Sequence, residues 1–340
     1  MKRMIVIVLI LLIFGFIRAA YAGEGAVLPE LIRPFEIHVD GQQMYVVEGI
    51  KIFIYSLKDF NLVTSFGKQG EGPREFLPRG PNPVSLILQE QQIIVQSLGK
   101  LTYFKRDGQY IEEIKMNPRS GREHQPFKGI YVARFVTRQD DGRLFHGIAF
   151  YDKDFNKLKE IYRHEHGFPL YRKFEFNPLT IEQPSFKILG SRIFVLDGGG
   201  SVVNIYDESG QLKASLKNKK ELEPFTKQDK SALIESYQRD NFFRRFYQKY
   251  KRLYKFPDYY PPILWFYIDR VNKDVYLSTY KNKDGKRVYL VYTMTGQFVK
   301  RVELPANGES WLTAVFDKKL YRLIENEDEE EWRLDITEIK

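Results

Sequence analysis

The chain has 340 residues, a formal net charge of +9 and no cysteine. Without cysteine, neither disulfide bonds nor cysteine-ligated zinc can hold the fold together. A chain of this length can bury about three quarters of its unfolded surface, so it needs no such cross-links. Aromatic residues make up 15% of the sequence, and this content suits a protein built from twisted, stacked sheets.

The first 22 residues have the pattern of a secretory signal peptide. Lys2 and Arg3 precede an uninterrupted apolar run over residues 4–17, and residues 20–22 (Ala-Tyr-Ala) form a small-x-small cleavage site. The apolar run is too short to cross a hydrocarbon layer of about 30 Å comfortably, so cleavage is favoured over membrane anchoring. We therefore expect a periplasmic or secreted protein whose residues 23–340 form the folded domain.

A strand-turn-strand phrase recurs along the rest of the chain. Its most regular part is an aromatic strand, a turn and a second strand, in residues 101–115, 148–162, 203–217 and 289–304. Anchored at the first strand of each unit, the copies begin at Met44, Ile93, Leu144, Ile193, Val275 and Leu320. Four-stranded units that repeat every 40–50 residues or so are typical of β-propellers. Six copies predict an all-β, six-bladed β-propeller with one insertion between Ile193 and Val275.

The two ends of the chain predict how this ring closes. Phe35, Ile37 and Val39 alternate with polar residues, as expected of an innermost strand. The last copy offers only three strands, within residues 311–316, 320–324 and 332–339. We expect residues 27–32 to supply its missing outer strand. The alternative is a disordered N-terminal arm.

Residues 66–78, FGKQGEGPREFLP, contain a Gly-rich turn that ends in Gly-Pro-x-Glu-Phe with a nearby proline. This segment resembles the loop of NHL repeats. The matching residues are Gly67, Gly70, Gly72, Pro73, Glu75, Phe76 and Pro78. Elsewhere in the chain only residues 166–169 retain a faint similarity to this loop. The resemblance implies a divergent NHL-like propeller of the kind common among exported bacterial proteins, with ligand or protein binding on a ring face.

Chain breakers occupy residues 117–121, and the sequence that follows them predicts a hairpin in the third repeat. Ile130–Thr137 is predicted to be an inner strand of the ring. Residues 140–142, Asp-Asp-Gly, are predicted to make the hairpin turn after it.

Residues 219–256, here called the insertion, lack strand alternation and are predicted to be helical, with Thr226 as N-cap and Pro257 as stop. At helical spacing one arc of about 140° collects the apolar side chains, and basic side chains fill the opposite side. The apolar set is Phe242, Phe243, Phe246, Tyr247, Tyr250, Leu253 and Tyr254. Either this stripe packs on the rim of the ring and the basic side is merely solvated, or the helix meets an anionic partner; the two can hold together.

The insertion also carries the basic charge of the chain. It has 11 Lys and Arg against 5 Asp and Glu, a net charge of +6, and residues 23–340 as a whole also carry +6. The candidate binding residues are Arg244, Arg245, Lys249 and Arg252, followed by Tyr259 and Tyr260. Predicted partners are an acidic protein face, an anionic glycan, or lipid headgroups at a membrane surface. Nucleic acid is not expected as a partner of an exported chain.

No catalytic or metal-binding signature stands out. His164 and His166 have a spacing that can bind metal, but no third ligand is visible. Neither a Gly-x-Ser-x-Gly elbow nor a His-Glu-x-x-His motif is present. We therefore predict a binding or scaffold protein without a cofactor, a metal or catalytic residues. The alternative is a metal-dependent hydrolase or lyase whose site is assembled from several blades in the central channel. The oligomeric state stays open.

Overall fold

Six four-stranded antiparallel sheets make up the fold, and together they form a six-bladed β-propeller. The computed structural model describes residues 25–78, 83–116, 121–165, 177–180, 183–239, 241–326 and 328–340. The predicted signal peptide and the segment with faint NHL similarity, residues 166–169, lie outside these described residues, so both stay predictions.

Within each blade the strands follow one another from the axis of the ring to its rim. Blade 6 takes its outermost strand, β1 (Gly25–Val27), from the start of the chain. The bounds are β2 (Glu36–Asp40), β3 (Gln43–Glu48), β4 (Lys51–Ser56) and β5 (Leu62–Phe66) in blade 1; β8 (Ser85–Leu88), β9 (Gln92–Ser97), β10 (Lys100–Lys105) and β11 (Tyr110–Lys115) in blade 2; β12 (Arg122–Phe127), β13 (Ile130–Arg138), β14 (Leu144–Tyr151) and β15 (Lys157–Glu165) in blade 3; β16 (Ser185–Leu189), β17 (Arg192–Leu196), β18 (Val202–Tyr206) and β19 (Leu212–Lys217) in blade 4; β20 (Trp265–Asp269), β21 (Asp274–Lys283), β22 (Lys286–Thr293) and β23 (Phe298–Pro305) in blade 5; and β24 (Thr313–Phe316), β25 (Lys319–Asn326) and β26 (Glu331–Glu338) in blade 6.

The apolar core is divided among the six spaces between neighbouring blades. Strand β3 shows why. Its side chains alternate, so Met44 and Val46 pack towards blade 6 while Tyr45 and Val47 pack towards blade 2. A single blade cannot bury both of its apolar faces, whereas a closed ring of blades buries all of them and leaves no open end.

The predicted repeat is confirmed in five blades, whereas in blade 3 its predicted position in the sheet is wrong. The phrase anchored at Leu144 is the third and fourth strand of its blade, and Ile130–Thr137 lies in the second strand, β13, rather than in the inner strand. The inner strand is β12. Its sequence, REHQPF, shows no apolar alternation because it contributes Arg122, Glu123 and Gln125 to the wall of the central channel.

The ring closes where the sequence predicted. β1 pairs antiparallel with β26, with Gly25 opposite Asp335 and Val27 opposite Arg333. The strand covers Gly25–Val27 and overlaps the predicted range, 27–32, only at Val27. The Leu28 N–H continues the ladder by donating to the Trp332 carbonyl at 2.8 Å. Leu28 and Leu31 are buried in the core between blades 1 and 6. The first described strand and the last three therefore belong to one sheet.

The NHL-like loop forms a small structure of its own between blades 1 and 2. Strand β6 (Lys68–Gln69) pairs in parallel with β7 (Glu75–Phe76). Gly67 has a φ of +107°, and a Cβ there would lie 2.1 Å from the Ile50 carbonyl oxygen, so only glycine fits. The loop delivers Phe76, fully buried, into the core between the two blades.

Because strands alternate in direction, the outermost strand of each blade ends on the same side of the ring as the innermost strand of the next blade begins. We call this side the crossover face. It carries the insertion, between β19 and β20, and the start of every inner strand. Among the described residues, no helix has the length and apolar character needed to cross a bilayer.

Candidate functional site

The insertion contains two helices, α1 (Lys227–Arg239) and α2 (Asn241–Tyr250), followed by a 3-10 turn over Lys251–Leu253. The helical insertion predicted from the sequence is confirmed, but it consists of two helices and a 3-10 turn rather than one continuous helix, and it ends before Pro257. The N-cap prediction is confirmed. Thr226 Oγ1 accepts the Asp229 N–H at 3.2 Å, and an Asp229 carboxylate oxygen accepts the Thr226 N–H at 2.8 Å. These Thr226 hydrogen bonds hold the pKa of Asp229 below its usual value.

The aromatic stripe of α2 packs against α1. The Tyr237 ring of α1 lies 5.9 Å from the rings of Phe243 and Tyr247 and 6.1 Å from that of Tyr254, measured between centroids. Such ring pairs add stabilisation beyond the area that they bury. Because none of the residues of α1 is buried, the two helices cover one another and not the core of the ring.

Of the four basic residues singled out in the sequence, three lie on α2 and Arg252 lies in the 3-10 turn that follows it. Arg244, Arg245, Lys249 and Arg252 are all exposed. Arg244 donates to the Asn241 side-chain oxygen at 2.6 Å, and the Lys249 ammonium lies 5.2 Å from the centre of the Tyr250 ring. None of the four forms an ion pair with a carboxylate among the described residues. Their charge is available to a partner.

Tyr259 and Tyr260 belong to a stem that connects the insertion to the ring, which we define as residues 221–225 and 258–260. The Phe225 N–H donates to the Asp258 carbonyl at 2.8 Å and the Tyr260 N–H to the Glu223 carbonyl at 2.9 Å. Tyr259 is 52% exposed. Tyr260 is half-buried, and burial together with the nearby Asp229 raises its pKa to about 12.

The stem is fixed to blade 5. The Tyr260 ring stacks on Tyr280 of β21 with a centroid distance of 4.6 Å. Glu221 reaches Lys281 Nζ at 2.8 Å and Arg301 Nε at 3.1 Å. The two cations hold the pKa of Glu221 below its usual value, with Lys281 the larger cause. Since Arg301 lies in the outermost strand β23, the base of the insertion sits towards the rim of the ring.

A second candidate site is the central channel, whose lining residues the sequence did not reveal. It is a cavity of about 490 Å³ lined by residues from all six inner strands, a volume in the range of small-molecule sites. The crossover end of the channel is bordered by Phe35, Trp265 and Trp311, which stand at the starts of β2, β20 and β24. Trp311 is 49% exposed.

The charged side chains that line this cavity include more cations than carboxylates. Two carboxylates each have a basic partner. Glu36 Oε1 lies 3.0 Å from His38 Nε2, and Glu123 pairs with Arg134. Three further cations line the same cavity and form no ion pair with the described residues: Arg122, Lys187 and Arg270. The lining is therefore net positive.

Lys187, in the middle of β16, lies at the centre of this charge arrangement. Burial lowers its pKa, the carboxylates of Glu36 and Glu123 act in the opposite direction, and the Arg270 charge lowers it further. For the Glu36 carboxyl, burial and the neighbouring charges also act on the pKa in opposite directions. Burial alone would raise its pKa, but His38, Lys187 and Arg134 bring it below the usual value. Both side chains line the cavity and are half-buried, so their charges interact more strongly than they would in bulk water.

The channel residues gave no sequence signal because they come from several blades and are dispersed over more than 200 positions. Across the described ranges, no three His, Asp or Glu side chains are grouped so that they could hold a metal ion. His164 lies in β15 opposite His146, and His166 lies outside the described residues. The metal-dependent hydrolase or lyase stays an untested hypothesis.

Comparison with known proteins yields structural likenesses only. No protein-family model matches the chain, and no curated protein matches it. Similar solved structures include a member of the DUF4221 family from Bacteroides vulgatus, at 11% identity and a TM-score of 0.49 over 93% of this chain and 99% of that one. The β-propeller domain of Cps50 (Swd1) from Myceliophteria thermophila has 10% identity and a TM-score of 0.46 over 93% and 99% of the two chains. Hsv2 from Kluyveromyces lactis has 10% identity and a TM-score of 0.39 over 90% and 98%.

Proposed function

We propose that this protein is an exported, NHL-like β-propeller that serves as a binding module and captures an anionic partner through the basic side of the insertion. One observation carries the proposal. Arg244, Arg245, Lys249 and Arg252 are exposed on α2 and on the 3-10 turn that follows it, while Phe243 and Tyr247 of α2 pack against Tyr237 of α1. A cluster of exposed cations of this kind attracts acidic surfaces and speeds their association.

The packing of α2 favours a soluble acidic partner over a membrane. Helices that lie in a lipid interface bury a free apolar face among the acyl chains. Here Tyr237 contacts Phe243, Tyr247 and Tyr254, so part of that face is already used within the insertion, although Phe243 keeps 46% of its surface exposed. What the insertion offers is charge, and an acidic protein face or an anionic glycan recognises charge without insertion.

The stem supports this role by holding the basic surface in place. Glu221 bridges Lys281 and Arg301 of blade 5, and Tyr260 stacks on Tyr280. A recognition element on a rigid scaffold loses less conformational freedom on binding, which favours affinity. In this proposal the propeller is the rigid scaffold, and the insertion is the element that binds the partner.

The test is binding of fluorescein-labelled polygalacturonate and poly-glutamate, measured by fluorescence anisotropy over a range of NaCl concentrations. The test variant replaces Arg244, Arg245, Lys249 and Arg252 by Gln. The matched control replaces four exposed lysines elsewhere on the ring: Lys51, Lys58, Lys105 and Lys153. We expect the affinity of the test variant to fall at least tenfold while the control retains wild-type affinity, and we expect binding to weaken with salt.

Equal loss in both variants would show a general charge effect and would overturn the role of the insertion. Preference for one polymer identifies the class of partner, a glycan or an acidic peptide. Thermal melting of both variants checks that the ring is intact. Export is tested separately by N-terminal sequencing of protein recovered from the periplasm or medium, where the proposal expects the chain to start at Gly23.

A further inference from the structure

We propose that the central channel binds a small hydroxylated carboxylate, of the size and chemistry of an acidic monosaccharide or disaccharide, with Lys187 and Arg270 holding the carboxylate. This site is separate from the basic side of the insertion, and the proposal does not depend on it.

The first support is the charge balance of the cavity. Glu36 and Glu123 already have His38 and Arg134 as partners, whereas Lys187 and Arg270 form no ion pair among the described residues. Lys187 Nζ lies 5.8 Å from the centre of the Phe266 ring, and Asp40, the carboxylate that acts most strongly on Arg270, is paired with Arg106. Cations surrounded by protein are costly unless an anion accompanies them. The lowered pKa of Lys187, to which both burial and the Arg270 charge contribute, reflects this cost. An anion bound between the two would relieve it.

The second support is the order of the cations along the channel. Arg122 stands at the start of β12, on the crossover face, Lys187 lies in the middle of β16, and Arg270 directly follows the end of β20. Near the far end, an Arg270 guanidinium nitrogen donates to the Leu88 carbonyl at 3.4 Å, which orients the side chain across the channel. Positive charge thus extends from the mouth to the far end, so an entering anion meets cations along its whole path.

The third support is the polar and aromatic lining, which suits a hydroxylated molecule better than a bare ion. The carboxylates of Glu36 and Glu123 accept hydrogen bonds, and the amides of Gln125 and Gln183 donate and accept. Trp311, half-exposed at the mouth, offers a flat apolar surface. A cavity of about 490 Å³ has room for one or two sugar rings. An inorganic anion would leave most of this lining unused.

The experiment is isothermal titration calorimetry of the full mature protein with D-galacturonate and digalacturonate, compared with D-galactose and inorganic phosphate. We expect saturable binding of the galacturonates and none of galactose, with an affinity that falls as NaCl is added. Binding of galactose as tight as that of galacturonate, or binding of phosphate without galacturonate, would overturn the proposal.

Two variants assign the binding to the channel. Lys187→Met and Arg270→Gln should each weaken galacturonate binding at least tenfold, while Lys187→Arg retains it because it keeps the charge. Lys217→Met is the matched control, since Lys217 lies on the outer strand of the same blade and is exposed. Unchanged galacturonate affinity in both Lys187→Met and Arg270→Gln would place the site elsewhere and sink the inference. Because neutralising the insertion leaves the channel intact, failure of this proposal is distinguishable from failure of the proposed function.

Discussion

The side chain of Glu75 closes the loop in which it lies by accepting the backbone N–H of Gly72 at 3.0 Å. In return, the Glu75 N–H donates to the Gly72 carbonyl at 3.0 Å. The second carboxylate oxygen of Glu75 lies 2.9 Å from Lys68 Nζ. The Gly-Pro-x-Glu-Phe segment is therefore held by its own glutamate, and this positions Phe76 for burial between blades 1 and 2.

Replacing Glu75 by Ala should lower the melting temperature at pH 7. The hydrogen bond from Lys68, the larger cause, and that from Gly72 hold the pKa of Glu75 below its usual value. A carboxyl whose pKa is lower in the folded state stabilises the fold above its unfolded pKa, and this contribution is lost as pH falls. The difference between Glu75→Ala and wild type should therefore shrink at pH 4. Calorimetry with Glu71→Ala as control tests this, because Glu71 is exposed in the same loop. Equal melting temperatures for the two variants would contradict it.

Gly67→Ala should destabilise the protein more than Gly285→Ala. Both glycines have positive φ, +107° and +70°, so both substitutions carry backbone strain of about 1–3 kcal/mol. At Gly67 the new Cβ would also lie 2.1 Å from the Ile50 carbonyl oxygen, whereas at Gly285 nothing lies within 4 Å. Urea unfolding measures the difference in the free energy of unfolding. A cost at Gly67 no greater than at Gly285 would show that the loop can shift to relieve the contact.

The fold could be predicted because hairpins leave a local signal, and the misread blade shows the limit of that signal. Strands β17, β18 and β19 alternate apolar and polar residues between glycine and aspartate turns, so the sequence indicates them directly. Strand β12 lacks this pattern, because Arg122, Glu123 and Gln125 line the polar channel while His124 and Phe127 are buried beside it. The inner strand β2 keeps its alternation and was found, so the signal fails only where channel-lining residues interrupt it.

The two candidate sites differ in predictability for the same reason. Arg245, Lys249 and Arg252 are close in sequence, and helical spacing places their side chains on one side of the predicted helix. Lys187 and Arg270 meet only because the ring closes, and no local pattern connects them. The break between α1 and α2 was also missed, because a helical wheel assigns the same stripe to one long helix and to a folded pair.

Leu28→Ala should cost about 2–5 kcal/mol in the free energy of unfolding, because Leu28 is 1% exposed and packs in the core that joins blades 1 and 6. This core closes the ring, so its loss weakens the contact between the two ends of the chain. Ile32→Ala is the matched control. Ile32 is 74% exposed, and such surface substitutions usually change stability by no more than about 0.5 kcal/mol. Chemical denaturation measures both. Similar values for the two variants would mean that residues 28–31 do not seal the ring.

Tyr237→Ala should loosen the insertion without unfolding the ring. Its ring contacts Phe243, Tyr247 and Tyr254, so truncation removes the centre of the aromatic packing between α1 and α2. Hydrogen exchange should accelerate at amides in residues 227–250, while protection in β20–β23 stays at the wild-type level. Gln238→Ala, at an exposed neighbouring position, should leave both regions unchanged. Faster exchange throughout blade 5 in Tyr237→Ala would instead show that the insertion and the ring unfold together.

Stability should fall as the pH rises above 10, because several tyrosines are buried as neutral phenols. Burial raises the pKa of Tyr45 to about 12, with Arg106 partly opposing it, and burial and Glu160 raise that of Tyr151 to about 12. In the unfolded chain such phenols ionise near pH 10. Above that pH the unfolded state binds fewer protons than the folded state, so the free energy of unfolding falls by up to about 1.4 kcal/mol per pH unit for each such tyrosine. Denaturant titrations between pH 8 and 11 measure this slope. Tyr45→Phe should reduce the slope by the contribution of one tyrosine, because phenylalanine does not ionise. Tyrosinate absorbance that develops fully near pH 10 while the circular dichroism remains native would contradict the prediction.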